Sequence, residues 1–307
     1  AASVGIAMGT GAQVAHDASD LILMNDNFAS IVDGIEEGRL IFSNLKKSIA
    51  YTLTSSIPEI IPFLAQIVLQ IPLGLTTIMI LCIDLGTDIV PAISFAYEFA
   101  ESDIMSIPPR DRHKDVLVTG TLISWSYLQI GIIQALASFT NFFYSFEEDG
   151  FSNDTVLNDG LGFDWSKEDS DIDGSPCFTS SDTTSADGCA TYSERTKSLR
   201  KAQTAFLAAI VICQIGCGLA AKTRLSSLLE HGFKNMAFNY GVFQEVALIV
   251  LLVYAPFLHK PFGTEDISGI CWVIAVPFSF CLWGYDECRK LAMRMNPDAW
   301  WREYLFY

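Results

Sequence analysis

The chain has 307 residues, 50% of them hydrophobic and only 18% charged, with a mean hydropathy of +0.33. A soluble domain carries about 25% charged residues, so this composition excludes a disordered chain and argues against an ordinary soluble enzyme. The net charge of −16, from 35 acidic and 19 basic residues, argues against a nucleic-acid partner, because affinity for phosphates needs surplus Lys and Arg.

The chain opens AASVGIAMGT, with no initiator Met and no charged segment leading into a short apolar run. It shows no signal peptide and reads as a piece that starts inside a longer protein. SVGIAMG (3–9) reads as a short buried strand ending in glycines, and ASDLILM (18–24) as a second strand. NFASIVDGIEEGRLIFSNLKK (27–47) has apolar residues at helical spacing and runs into the first long apolar stretch. Residues 1–47 are therefore expected to be the end of an α/β domain joined to the rest by a continuous helix.

Six apolar stretches are long enough to cross a bilayer, near 48–71, 75–97, 119–144, 202–221, 237–258 and 267–285. Basic residues fall in alternate connections: Lys46 and Lys47 before the first stretch, PPRDRHKD (108–115), AKTRLSSLLEHGFK (221–234), and Arg289, Lys290 and Arg294 after the sixth. The positive-inside rule makes that side cytoplasmic and puts both ends of the chain there. The connection 147–195 then lies outside; it holds thirteen acidic and two basic residues and reads as irregular loop.

Of the eight Cys, Cys82, Cys213, Cys217, Cys271 and Cys281 lie within the stretches and are expected to be small packing residues. Cys177 and Cys189 share the outer connection, where a disulfide and two free thiols are both open. The four His have no metal-ligand spacing, and Asn153 opens an Asn-Asp-Thr glycosylation triplet.

The informative residues are acids inside the apolar stretches. Glu59 lies eleven residues after Ser48, roughly 16 Å into the bilayer at 1.5 Å per residue. Asp84 and Asp88 lie at similar depth in the next stretch, spaced for one helix face. Each costs about 2.5–3.5 kcal/mol at a helix centre, and no Lys or Arg lies in either stretch to pair with them. A cation is the expected partner. Pro58 cannot donate to the carbonyl of Thr54, nor Pro91 to that of Thr87, and Gly86 loosens the helix further. Free carbonyls, the hydroxyls of Thr54, Ser55, Ser56 and Thr87, and three carboxylates make an oxygen-rich cavity suited to hard cations. Glu245 and Gln214 are two more polar residues at membrane depth, for ion binding or for hydrogen bonds between helices.

These residues sit in longer motifs. NLKKSIAYTLTSSIPEIIPF (44–63) and ILCIDLGTDIVPAISFAYEFAESDIM (80–105) resemble the fifth and sixth membrane helices of P-type ATPase α subunits of the sodium/potassium and proton/potassium branch. DNFASIVDGIEEGRLIF (26–42) resembles the link from their phosphorylation domain, and YDECRK (285–290) with the ending WWREYLFY resembles their tenth helix and tail. The resemblance implies a mainly α fold: a six-helix transmembrane bundle (48–307), equivalent to the last six of ten helices, preceded by the C-terminal remnant of the phosphorylation domain (1–47). It implies a multi-pass plasma-membrane protein, an ATP- and Mg2+-dependent cycle through an aspartyl phosphate, and Na+ and K+ as transported ions. Glu59, Asp84 and Asp88 would be shared cation ligands, assisted by Thr54, Ser55 and Thr87. Tyr51, Gln214 and Glu245 match positions lining an additional sodium site.

Ser55 and Asp84 stand where the proton pumps have lysine and glutamate, which favours sodium/potassium exchange over proton/potassium or sodium-only transport. Ser56 replaces a usual asparagine, and Cys217 replaces an acidic residue of the additional site. GCATYSER (188–195) is only faintly similar to the stretch that holds a β subunit. The chain has no DKTG phosphorylation motif and no nucleotide-binding domain, so it carries no catalytic residue and the ATP and Mg2+ sites are expected upstream. A six-helix channel or carrier without ATP chemistry is the reading from a different class; membrane lipid is an expected partner in either.

Overall fold

The computed structural model of the chain describes residues 4–101, 104–106, 108, 116–151, 156, 157 and 192–296. Cys177 and Cys189, the triplet at Asn153, most of the acidic connection 147–195, most of PPRDRHKD and the ending WWREYLFY lie outside the described residues.

The N-terminal part is a small parallel sheet. Strand β1 (Ile6–Met8) pairs with β2 (Leu21–Leu23), Ile6 opposite Leu21 and Met8 opposite Leu23. Helix α1 (Gln13–Asp17) makes the crossover. The Asp20 carboxylate accepts from the Gly5 N–H at 2.8 Å, and that of Asp26 from the Thr10 N–H at 3.1 Å.

Six helices are long and apolar enough to cross a membrane, and they are the first to sixth spans below: Ser30–Leu69, Thr77–Tyr97, Gly120–Glu148, Ser193–Ala221, Met236–Tyr254 and Gly269–Met295. The first helix begins at Ser30, well before the apolar stretch, and stops at Leu69. Gln70 turns left-handed at φ 55°, and Pro72 follows. The fifth stops at Tyr254, short of the apolar stretch. Ala255 is extended because Pro256 crowds an α-conformation at the residue before it, and a short helix (Pro256–Phe262) follows. The sixth continues past its apolar stretch to Met295, because Asp286, Arg289 and Lys290 are buried and paired there rather than frayed into solvent.

Two spans are not uniformly α. Cys82–Asp88 in the second and Ser124–Gly131 in the third wind as π-helix. Such bulges leave backbone groups that need other partners. In the second span the Gly86 carbonyl accepts from Gln244 Nε2 of the fifth span at 2.8 Å. The π-helical part of the third span also meets the first through a side chain, Ser126 Oγ donating to the Ala50 carbonyl at 3.2 Å.

The fourth span is the most enclosed, and two apolar clusters meet along it. One gathers Leu75, Met79, Ile83, Phe142, Phe146, Phe206, Ile249 and Val253; the other gathers Tyr51, Phe95, Leu122, Trp125, Cys217, Phe238 and Leu282. These side chains pack the spans against one another. Cys213, Cys217 and Cys271 are buried, whereas Cys281 is exposed and Cys82 is half-buried, so those two do not serve as core packing.

The basic connections converge on one end of the bundle. Lys47 Nζ lies 2.9 Å from Glu101, and Lys222 Nζ lies 3.9 Å from Glu98. Lys290 Nζ donates to the Ala220 carbonyl at 2.8 Å, and Glu287 accepts from the Leu228 N–H at 3.0 Å.

Candidate cation site

The second, fourth and fifth spans each carry a polar residue where the two apolar clusters meet. Asp88 lies between Ile83 and Ala92, Gln214 between Val211 and Cys217, and Glu245 between Phe238 and Ile249. All three are buried, as are Tyr51, Thr54, Ser55 and Glu59 of the first span and Thr87 of the second. Ser56 is half-buried.

Hydrogen bonds join part of this set. Gln214 Nε2 donates to Asp88 Oδ2 at 3.1 Å. Gln214 Oε1 faces Thr54 Oγ1 at 3.3 Å and accepts from Gln134 Nε2 at 3.1 Å. Thr54 Oγ1 lies 3.1 Å from Cys217 Sγ. Thr87 Oγ1 faces Asp88 Oδ1 at 3.3 Å.

The hydroxyls have a common habit. Thr54 Oγ1 donates to the Tyr51 carbonyl at 2.6 Å, Ser55 Oγ to that of Thr52 at 2.9 Å, and Thr87 Oγ1 to that of Ile83 at 2.8 Å. A hydroxyl has one proton and two acceptor lone pairs. With the proton on the helix backbone a hydroxyl turns lone pairs outward, the polarity a cation requires; Thr54 and Thr87 are also within donor reach of Gln214 Oε1 and Asp88 Oδ1.

Several buried acceptors have no hydrogen-bond partner among the described residues: Glu59 Oε1, both carboxylate oxygens of Glu245, the Tyr51 hydroxyl, Gln134 Oε1 and Gln244 Oε1. An unpaired ionised carboxylate held away from water costs several kcal/mol, so a group of this kind calls for a compensating charge. Glu59 feels the charges of Asp84 and Asp88, Glu245 that of Asp88, and Tyr51 those of Glu245 and Asp88. Hydrogen bonds thus tie Asp88 to Gln214 and Thr87, and Gln214 in turn to Thr54 and Gln134.

The pair expected on one helix face is divided. Asp88 is buried, and Asp84 is exposed. Both belong to the π-helical turn, whose extra residue changes the register that α-helical spacing assumes. Among the described residues no three His, Cys, Asp or Glu side chains converge closely enough to hold a metal ion. Glu59, Asp84 and Asp88 are therefore within electrostatic range of one another without forming a closed cage.

Gln134 and Gln244 carry no charge and sit in runs that read as membrane-spanning sequence, so hydropathy does not single them out. A polar amide at membrane depth was the available signal for both.

The chain matches the family described as cation transporting ATPase, C-terminus, over residues 72–292. It is 46% identical over 308 aligned positions to the sodium/potassium-transporting ATPase subunit alpha of Drosophila melanogaster, covering all of this chain and 28% of that protein. It has the same identity to subunit alpha-3 of Homo sapiens, covering 29% of it, and 45% identity to subunit alpha-1 of Anguilla anguilla, covering 29%. The chain thus spans less than a third of the length of these relatives.

Proposed function

The chain belongs to the cation-transporting ATPase family, matched in the C-terminal part of that family, and we propose that it is the transmembrane, ion-binding part of an ATP-driven pump that exports sodium and imports potassium. The observation that carries this reading is the buried, acceptor-rich lining. Asp88, Glu59 and Glu245 are buried at the level where the apolar clusters meet, three of their oxygens have no donor among the described residues, and the surrounding hydroxyls direct their protons to backbone. A desolvated sodium or potassium ion supplies the positive charge that such a lining needs. Glu59, Asp84 and Asp88 are the proposed shared ligands, with Thr54, Ser55, Ser56 and Thr87 adding neutral oxygens. Tyr51, Gln214 and Glu245 are assigned in this proposal to a second lobe of the site.

In this reading the ions are the substrates. ATP and Mg2+ act on parts of the complete protein outside residues 1–307, and the helix Ser30–Leu69 carries the resulting movement to Glu59. The first 47 residues are the end of the phosphorylation domain, and the end of the bundle that carries Lys47, Lys222 and Lys290 is cytoplasmic, in the plasma membrane. The names of the relatives, sodium/potassium-transporting ATPase subunits, favour this ion pair, as do Ser55 and Asp84.

The test is the ATPase activity of the complete protein against sodium concentration, at fixed potassium and several pH values. Activation by sodium with little dependence on pH is expected. Activity that needs potassium but not sodium, and rises with acidity, would make the protein a proton/potassium exchanger instead.

A further inference from the structure

An α-wound carbonyl accepts from the N–H four residues on, a π-wound one from the N–H five residues on. For Gly86, inside the π-wound turn Cys82–Asp88, the α count ends at Val90 and the π count at Pro91. Proline has no N–H, so the π count finds no donor within the second span. Gln244 of the fifth span supplies one, its Nε2 lying 2.8 Å from the Gly86 carbonyl oxygen. The partner fixes the orientation of this amide, because a backbone carbonyl only accepts. Turned over, Gln244 would set oxygen against oxygen. Its own Oε1 is buried and has no hydrogen-bond partner among the described residues, so the Gly86 carbonyl is the polar group that holds the side chain.

The face of the fifth span around Gln244 is shaped to the same segment. Gly241, three residues before, comes so close to Pro91 that a Cβ on it would lie 3.1 Å from the Pro91 nitrogen. Leu248, four residues after, comes so close to Gly86 that a Cβ on Gly86 would lie 2.8 Å from Leu248 Cδ2. The three positions share one helix face, and Gln244 is the one among them with a donor side chain.

We infer that Gln244 is a positioning residue for the cation site: its amide holds the second span in the π-wound form that sets Asp84 and Asp88 apart. The inference rests on the reading of these two carboxylates as cation ligands. Among the described residues Gln244 makes no hydrogen bond to either of them, so it acts on them through the backbone of the second span. With the donor removed, α winding is favoured, since it gives Gly86 the Val90 N–H. Asp84 and Asp88 then share a face at a spacing of four residues, and they offer an ion a different arrangement of oxygens. The fifth span thereby sets the geometry of two ligands that it does not itself carry.

The experiment uses the complete pump, with sodium as the probe and ATPase activity as the reading. Gln244→Met keeps the side-chain length and loses the donor. It is expected to raise the half-saturating sodium concentration about fivefold, equivalent to about 1 kcal/mol, the usual net worth of one neutral hydrogen bond. The change in turnover at saturating sodium should be smaller. Gln244→Leu is read in the same way if the methionine variant fails to reach the membrane. Combined with Asp84→Asn, Gln244→Met should add no further loss of sodium affinity, because Gln244 acts by placing Asp84. Additive losses, or a fall in turnover with the half-saturating concentration unchanged, would mark a packing role and overturn the inference. Asp84→Asn alone separates the two levels. If it leaves sodium activation unchanged, the reading of the site itself fails; if it impairs activation while Gln244→Met does not, only the role of Gln244 fails.

Discussion

The Lys47 ammonium lies 2.9 Å from the Glu101 carboxylate, with both side chains buried. The same carboxylate accepts from three successive backbone N–H groups, of Arg224 at 3.0 Å, Leu225 at 3.3 Å and Ser226 at 3.4 Å. One side chain thus ties the first span to the connections that follow the second and the fourth. Asn44 Nδ2 adds a bond to the Glu98 carbonyl at 2.8 Å, and Ser48 Oγ one to the Ala92 carbonyl at 2.8 Å. The basic end of the helix that reaches Glu59 is therefore fastened to its neighbours at several levels.

Acid should loosen this fastening. Burial pushes the Glu101 carboxyl up, but the Lys47 ammonium and the N–H groups of Arg224 and Leu225 outweigh it and hold the group at about 2, against an ordinary 4.5. A carboxyl depressed in the folded state stabilises fully above its unfolded pKa. The contribution of Glu101 is therefore complete above about pH 4.5 and is lost as pH falls toward about 2. Glu101→Gln removes it at all pH values and leaves Lys47 buried without a counter-charge, a loss of about 3–5 kcal/mol. Thermal unfolding in detergent should show a lower Tm for the variant at neutral pH, with the gap to the parent narrowing in acid. Equal Tm values at neutral pH would mean that the pair contributes nothing.

Asp84→Asn tests a proposed ligand with little risk to the fold, because Asp84 is exposed rather than packed. The amide keeps the size and loses the charge. The half-saturating sodium concentration of the complete pump should rise at least about tenfold, a loss of about 1.4 kcal/mol or more, with Tm in detergent unchanged. Unaltered sodium activation would remove Asp84 from the ligand set.

What the sequence discloses follows from what each kind of signal contains. Six membrane helices are legible because bilayer crossing demands a long apolar run, and composition alone registers it. Glu59, Asp84, Asp88 and Glu245 are legible because a carboxylate in such a run is costly. The clasp around Glu101 is not legible. Its backbone partners stand 123 to 125 positions away in sequence, and periodicity reports a residue's face but not what meets it. Gly86 and Pro91 mark the second span as irregular, and it does wind as π-helix around Gly86. In the third span Gly131 gives only a faint mark of the same behaviour. The separation of Asp84 from Asp88 escapes α-helical counting for that reason.

Gly131 is held by close packing. A Cβ there would lie 2.7 Å from Ile57 Cβ and 3.0 Å from the Ser126 carbonyl oxygen. Neither is the far end of a flexible side chain, so the third span must move away from the first. Gly131→Val is expected to destabilise the bundle by about 1–3 kcal/mol, as overpacking does. Gly120, at the start of the same span, has nothing within 4 Å of its Cβ position. Gly120→Ala should leave Tm unchanged or raise it slightly, since Ala favours helix over Gly by about 0.5–1 kcal/mol. The two substitutions measured together in detergent separate local crowding from a general intolerance of change in this helix, and equal effects would refute the crowding.

Cys217 is where charge can be added instead of removed. Its thiol lies 3.1 Å from Thr54 Oγ1, whose proton already goes to Tyr51. The thiol is then the donor of that contact, and a carboxylate in its place would have no proton to give. Cys217→Asp thus brings a buried negative charge beside Thr54 and near Asp88, in the lobe where both Glu245 oxygens lack a partner. Without a cation the variant should be less stable than the parent, because an uncompensated buried charge is costly. On the proposed reading sodium binds the folded site and not the unfolded chain, so it should restore the loss in proportion to its affinity. The expected result is a Tm in detergent that falls without sodium and recovers with it more steeply than in the parent, while an ion too large or too weakly charged for the lobe has no such effect. A Tm that falls by the same amount with and without sodium would mean that the lobe containing Tyr51, Gln214 and Glu245 takes no cation even when given the missing charge.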